Sequence, residues 1–182
     1  MAPAERAEAA ILKAAAAGTL VIGVCGGYQM LGRAVSDPQG AEAAGLTQIR
    51  GMGLLDMETV FEPEKVQTQT RGVFGAVPGM LSGLTGLAYE GYEIHMGRSG
   101  DEPAALRGDG NVYGTYIHGL FDAPGVTDAV LAPLCRRRGI DPAALGTFNA
   151  AEYKDRQYDI VAEAVRSGLD MELVYRILNR EV

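Results

Sequence analysis

Residues 20–29 read LVIGVCGGYQ, a short apolar run that leads into a cysteine surrounded by glycines. The β-branched run predicts a buried strand over 19–24, and the residues that follow predict a helix over about 26–35. Strand, Gly-x-Cys-x-Gly turn and helix, in that order, form the pattern of a nucleophile elbow, whose strained turn projects a reactive side chain. Glycines at 23 and 27 would let strand and helix pack closely around the turn. The stretch therefore predicts an α/β fold with Cys25 at a strand end.

An alternative interpretation makes Cys25 a small core residue that ends a strand, the common role of an isolated cysteine. The surrounding glycines favour a nucleophile, because a buried structural cysteine does not need them. At a helix N-terminus the dipole would stabilise its thiolate. The backbone amide of Gly26 would then be placed to donate to an oxyanion.

The composition limits the classes of function that the chain can have. Its 182 residues are most simply one domain, with 47% apolar residues, 21% charged residues and a net charge of −7. Since phosphate binding needs a basic face, this charge argues against a nucleic-acid partner. No apolar stretch approaches the length of a membrane span, so no membrane partner is expected.

The two cysteines, Cys25 and Cys135, lie far apart in the sequence, and the chain has two histidines. These are too few ligands with zinc-site spacing, so no metal site is predicted. A reduced, cytoplasmic setting is expected.

A thiolate that attacks a carbonyl needs a base from elsewhere in the fold. His118 ends the segment NVYGTYIHG, a predicted strand over 112–118, and catalytic groups gather at such strand ends. His95 lies in GYEIHMG, between Gly91 and Gly97, and is expected near a loop. A hydrogen-bonded structural role is the alternative for either histidine.

The rest of the chain predicts helices and strands layered around a partly parallel sheet. The predicted strands lie over 54–61, 65–74 and 89–96, a surface loop over 79–86, and helices over 3–17, 125–138, 149–167 and 170–180.

Four segments together resemble the C-terminal glutamine amidotransferase domains of the cobyric acid synthase family: GVCGGYQML at 23–31, GLLDMETVF at 53–61, GYEIHMGRS at 91–99 and GTYIHGLFD at 114–122. The resemblance covers nearly the whole chain. It implies a class I glutamine amidotransferase-like (flavodoxin-like) α/β fold, in which a partly parallel sheet is flanked by helices and the first strands are lacking. We therefore expect a single, N-terminally incomplete domain over 1–182, with 149–182 as a C-terminal helical segment.

The resemblance also implies the roles of several residues. Cys25 matches the nucleophile that attacks the side-chain amide of L-glutamine, and His118 matches the histidine that moves the proton. Gln29 and the segment with His95, Met96 and Gly97 match positions that lie against bound glutamine. For Gln29, a helix residue that faces solvent or caps a neighbour is the open alternative.

Two departures from the broader class accompany this resemblance. The common H-x-E pattern is absent after His118, so Asp122 and Glu93 are candidates for orienting the base. No P-loop motif occurs either, and no cofactor is expected in this chain. The resemblance implies that ATP and Mg²⁺ are bound by an N-terminal synthetase domain, which receives the ammonia.

Two other functions stay open at this point. One is an amidotransferase subunit that pairs with a Mur-ligase-like partner to amidate a peptidoglycan precursor. The other is an inactive, truncated interaction module. The expected lack of early strands would leave an open sheet edge, which predicts self-association.

Overall fold

The computed structural model describes residues 3–42, 47–100, 104–146 and 149–181, in two compact units that span 1–147 and 148–182. The described helices and strands of the first unit are, in chain order, α1 (Pro3–Ala16), β1 (Val21–Val24), α2 (Gly26–Leu31), β2 (Ala34–Ser36), β3 (Gln48–Arg50), β4 (Glu58–Val73), β5 (Ala88–Ser99), β6 (Arg107–Asp109), β7 (Val112–Thr115) and α3 (Val126–Arg137). Those of the second unit are α4 (Ala150–Gly168) and α5 (Met171–Leu178).

The strands of the first unit form two mixed sheets. In the first, of order β1-β7-β6, β1 runs parallel to β7 and β6 runs antiparallel to it. In the second, of order β3-β2-β4-β5, β2 and β4 are parallel and the other pairs are antiparallel. The predicted α/β class with partly parallel sheets is therefore confirmed. The predicted self-association remains a prediction, for which β1 offers an edge of the described three-stranded sheet.

The predicted surface loop over 79–86 is wrong. Residues Gly79–Leu84 form a 3-10 helix, and Leu81 and Leu84 are fully buried in the main core cluster. The hydroxyl of Tyr113 on β7 holds this turn, because it accepts a hydrogen bond from the Leu81 amide (3.0 Å) and donates to the Pro78 carbonyl (2.7 Å). The abundance of glycine in this segment hid the two leucines that anchor it.

The helix predicted over 26–35 is too long. It ends at Leu31, and Ala34–Ser36 forms β2 instead. Gly32 sets this end, since a Cβ there would lie 2.8 Å from the Met57 carbonyl oxygen. Only glycine allows the two backbones to approach so closely, and the chain turns into the sheet at this point.

The strands predicted over 54–61 and 65–74 are one strand, β4, which begins at Glu58 and has a register shift between Phe61 and Val66. Residues 54–57 lie before it, because Leu55 and Met57 are buried in the second core cluster rather than in the sheet. The strand predicted over 89–96 is confirmed and extends through Ser99.

The predicted helices at both ends of the chain are confirmed within the described residues. Those of the second unit have side-chain caps, which satisfy amides that a helix start leaves unpaired. Asn149 accepts from the Glu152 amide (3.2 Å) and Asp170 from the Leu173 amide (3.0 Å). In the part of the chain that the structure describes, no helix has the length and apolarity needed to cross a membrane.

Candidate active site

Cys25 lies between β1 and α2 in a backbone conformation that side chains rarely adopt. Its φ is 52° and its ψ is −114°; Arg180 is the other non-glycine residue with positive φ in the described ranges. The conformation is held from both sides. The Cys25 amide donates to the Thr115 carbonyl of β7 (2.9 Å), and the Cys25 carbonyl accepts from the Gln29 amide (3.1 Å). Strain of this kind costs about 1–3 kcal/mol and is typical of functional sites.

Glycines let α2 lie directly on the two parallel strands. A Cβ on Gly23 would come within 2.7 Å of the Gly27 carbonyl oxygen, and one on its β7 neighbour Gly114 would overlap the ring of Tyr28. The predicted close packing at Gly23 is confirmed. Gly27 contributes its backbone to that contact, but a Cβ of its own would meet none of the described atoms within 4 Å.

The thiol of Cys25 faces β5. Its Sγ is 3.6 Å from the carbonyl oxygen of Ile94, and the side chain is partly exposed, whereas Cys135 is buried in α3. Gly26, the first residue of α2, has open space where its Cβ would be, as far as the described residues show. The oxyanion role of the Gly26 amide stays a prediction.

His118 lies beyond the end of β7. The predicted strand over 112–118 ends at Thr115, whose hydroxyl donates to the Ala105 carbonyl (2.6 Å) and accepts from the Ile117 amide (3.0 Å). The Thr115 hydroxyl thus bonds backbone groups at the point where the strand pairing of β7 ends, and the chain leaves the first sheet there. His118 thus reaches the second sheet rather than continuing β7.

His118 contacts Tyr92 on β5. The two residues exchange backbone hydrogen bonds of 2.8 and 3.1 Å, and their rings stack with centroids 5.1 Å apart. Gly91 makes this approach possible, since a Cβ there would overlap the His118 carbonyl oxygen. Cys25 and His118 are therefore both brought to β5, at Ile94 and Tyr92.

The expectation that His95 lies in a loop is wrong, because the segment from Glu93 to Gly97 belongs to β5. Its Nδ1 is 2.8 Å from the Gly97 carbonyl oxygen, and its Nε2 is 3.1 Å from Oε2 of Glu93. The ring stacks on Tyr116 with centroids 3.7 Å apart, and 9% of the side chain is exposed. Both ring nitrogens thus lie within hydrogen-bond distance of an oxygen atom, which fixes the orientation of the ring.

Of the two candidates for orienting His118, Glu93 pairs with His95 instead. Asp122 belongs to the 3-10 turn Leu120–Asp122 directly after His118, and its amide donates to the Gly119 carbonyl (2.9 Å). An orienting role for Asp122 stays a prediction.

Gln29 does not face solvent, so that half of the alternative is wrong. Its backbone carbonyl accepts from the Gly32 amide (3.2 Å) at the end of α2. Its side chain is 8% exposed, its Nε2 donates to the Tyr116 hydroxyl (3.3 Å), and a Cβ on Gly97 would lie 2.6 Å from the same Nε2. The sequence had placed Gln29 and Gly97 in one site, and the structure brings them into contact.

Tyr116 is the residue that the sequence analysis missed. Burial raises the pKa of its hydroxyl, although the hydrogen bonds to Ser99 and Gln29 act in the opposite direction. Its one sequence signal is an aromatic residue two positions before His118.

A cavity of about 480 Å³ opens beside these residues, and His95, Met96, Gly97 and Tyr116 form part of its wall. Cys25 and His118 are not among the described residues that line it. Within the described ranges, no three His, Cys, Asp or Glu side chains are grouped so as to hold a metal ion.

The fold and the site define an α/β protein in which a cysteine elbow and a histidine from a strand end meet a second sheet. The chain belongs to the CobB/CobQ-like glutamine amidotransferase domain family, whose model matches residues 2–126. This confirms the resemblance seen in the four sequence segments.

Named relatives agree with the family. Cobyric acid synthase of Lachnoclostridium phytofermentans is 44% identical over 96% of this chain, that of Ruminiclostridium cellulolyticum 40% over 96%, and that of Citrobacter koseri 39% over 93%. The chain spans 36–39% of the length of these relatives.

Proposed function

We propose that this chain is the glutaminase part of a cobyric acid synthase. It would release ammonia from glutamine for the ATP-dependent amidation of corrin side-chain carboxylates of adenosylcobyrinic acid a,c-diamide in cobalamin biosynthesis. The observation that carries the proposal is the strained Cys25 at the elbow, with its thiol toward β5, the strand that also pairs with His118. The family and the names of its relatives support the substrate class.

The proposed reaction has two halves. In the first, His118 accepts the thiol proton, Sγ of Cys25 bonds to the side-chain carbonyl carbon of glutamine, and the carbon–nitrogen bond breaks as the proton passes to the leaving ammonia. In the second, water attacks the thioester and gives a proton to His118, the carbon–sulfur bond breaks as that proton returns to Sγ of Cys25, and glutamate leaves. The Gly26 amide would stabilise the oxyanion in both halves.

His118 fits the role of proton carrier better than His95. Both nitrogens of His95 face the acceptors Gly97 O and Glu93 Oε2, whereas the described contacts of His118 are its backbone bonds and its ring stack with Tyr92. We assign His95, Met96, Gly97 and Gln29 to the binding of glutamine. The first three line one cavity, and a Cβ on Gly97 would lie 2.6 Å from Nε2 of Gln29.

The partners follow from the same proposal. An N-terminal synthetase domain of the same protein would bind ATP and Mg²⁺ and use the ammonia, and the reaction would take place in the cytoplasm. No nucleic-acid or membrane partner is proposed, in keeping with the net charge of −7.

The test compares two nitrogen sources in the full-length protein. With Cys25→Ser, amidation of the corrin substrate driven by glutamine should be lost, while amidation driven by free ammonium survives. Cys135→Ser is the matched control and should keep both. Loss of both activities by a folded Cys25→Ser protein would contradict the division of labour. Amidation of a peptidoglycan precursor in place of the corrin would replace the proposed substrate.

A further inference from the structure

Three hydroxyl groups connect β4 to the side chain of Gln29. Thr59 Oγ1 is 2.6 Å from Ser99 Oγ, Ser99 Oγ is 2.5 Å from the Tyr116 hydroxyl, and that hydroxyl lies 3.3 Å from Nε2 of Gln29. Thr59 is fully buried, and Ser99 and Gln29 are each 8% exposed. The row crosses from the second sheet to α2, the helix that begins at the elbow.

The chemistry of the groups fixes the direction of the bond at the Gln29 end of the row. An amide nitrogen only donates, so the Tyr116 hydroxyl accepts from Nε2 of Gln29, and the same hydroxyl lies within hydrogen-bond distance of Ser99 Oγ. With Nε2 committed in this way, the Gln29 side chain holds one orientation. A fixed Nε2 also fixes the position of Oε1, the acceptor end of the same amide.

The ring of Tyr116 is itself held in place. It stacks on His95 (3.7 Å between centroids) and meets the edge of Tyr28 (5.1 Å, 74° between planes). Burial raises the pKa of the phenol, so the hydroxyl keeps its proton through neutral pH. A fixed ring with a protonated hydroxyl suits a group that orients its neighbour.

We propose that Tyr116 is a positioning residue that fixes the Gln29 amide, so that Oε1 accepts an N–H of the substrate glutamine. The inference rests on the proposed function above. Tyr116 acts through Gln29 and acts on binding rather than on the reacting carbonyl.

The kinetic test uses Tyr116→Phe, Gln29→Ala and the double variant in the full-length protein. Tyr116→Phe keeps the ring stack and removes one hydrogen bond, so we expect the KM for glutamine to rise about tenfold while kcat stays within about twofold. On the Gln29→Ala background, Tyr116→Phe should alter KM less than about twofold, because the amide that Tyr116 orients is absent. Tyr158→Phe, at an exposed position of α4, is the control and should leave KM unchanged. Multiplicative effects, or a fall in kcat with KM unchanged, would overturn the proposal.

A second readout does not depend on activity. In a ¹⁵N–¹H spectrum, the side-chain NH₂ signals of Gln29 are those lost in Gln29→Ala. They should shift in Tyr116→Phe and stay in place in Tyr158→Phe. Signals that do not move would overturn the role of Tyr116 whatever the activity. A wild-type protein that hydrolyses no glutamine, but whose Gln29 signals shift as expected, would overturn only the proposed function.

Discussion

The elbow at Cys25 and the β5 segment from Gly91 to Gly97 form two sides of one site, yet they are built differently. The elbow is made mainly by neighbours in sequence, since β1, Cys25 and α2 follow one another directly. The β5 segment receives its partners from distant parts of the chain, with His95 aligned to Val66 of β4 and Tyr92 bonded to His118. A local motif thus presents the thiol, and long-range contacts decide which histidine accompanies it.

The two histidines show what that difference means. Each has glycines nearby, but His95 is stacked on Tyr116 with both nitrogens held, while His118 rests on Tyr92. Replacing His118 with Ala should slow thioester formation by about 10²–10⁴-fold, the range of a general base, and His95→Ala should slow it less. Rapid-quench measurement of the acyl-enzyme checks this. A larger loss for His95→Ala would reverse the assignment.

The close approach of Gly91 to His118 allows a second test of the long-range contacts of the β5 segment. In Gly91→Ala the added methyl overlaps the His118 carbonyl oxygen and must displace that backbone. A displacement of about 1 Å costs roughly 10²-fold in rate, so glutaminase activity should fall by about that factor. Gly75→Ala, whose methyl meets none of the described atoms within 4 Å, is the control. Equal rates for both variants would show that the Gly91 contact does not position the base.

The reactivity of the two thiols tests the elbow at Cys25. Cys25 is partly exposed at a helix start and Cys135 is buried, so iodoacetamide should modify Cys25 faster, by about tenfold or more. Because the elbow is encoded locally, Gly91→Ala should leave this preference intact. Peptide mapping by mass spectrometry after timed quenching measures both rates. Faster labelling of Cys135 would show that the elbow does not expose its thiol.

Backbone strain at the elbow gives the smallest effect. Cys25→Gly relieves the positive φ that Cys25→Ala retains, and it adds the entropy cost of glycine in the unfolded chain. We expect the free energy of unfolding to be about 1 kcal/mol higher for Cys25→Gly than for Cys25→Ala. Urea denaturation measures the difference. A less stable Cys25→Gly would mean that the strain in the turn is smaller than the entropy cost of glycine.

Sequence reasoning worked best where periodicity and glycine placement act over a few residues. It predicted the α/β class, the strand-to-helix turn at Cys25 and the helices near both ends, because such features depend on neighbours in the chain. It failed over 79–86, where glycines concealed Leu81 and Leu84, and at Ala34–Ser36, which pairs with strands that follow later in the chain.

The sequence by itself determined which residues could do chemistry here: a cysteine between glycines, two histidines and the motifs that surround them. Only the tertiary structure decided which contacts these residues make. It joined His118 to β5, set Glu93 against His95 rather than His118, and turned Gln29 inward onto Tyr116. The physical reason is that hydrogen bonds and ring stacking depend on the distance between groups in space. The residues of this site come from two sheets and lie far apart in the sequence, so no local pattern connects them.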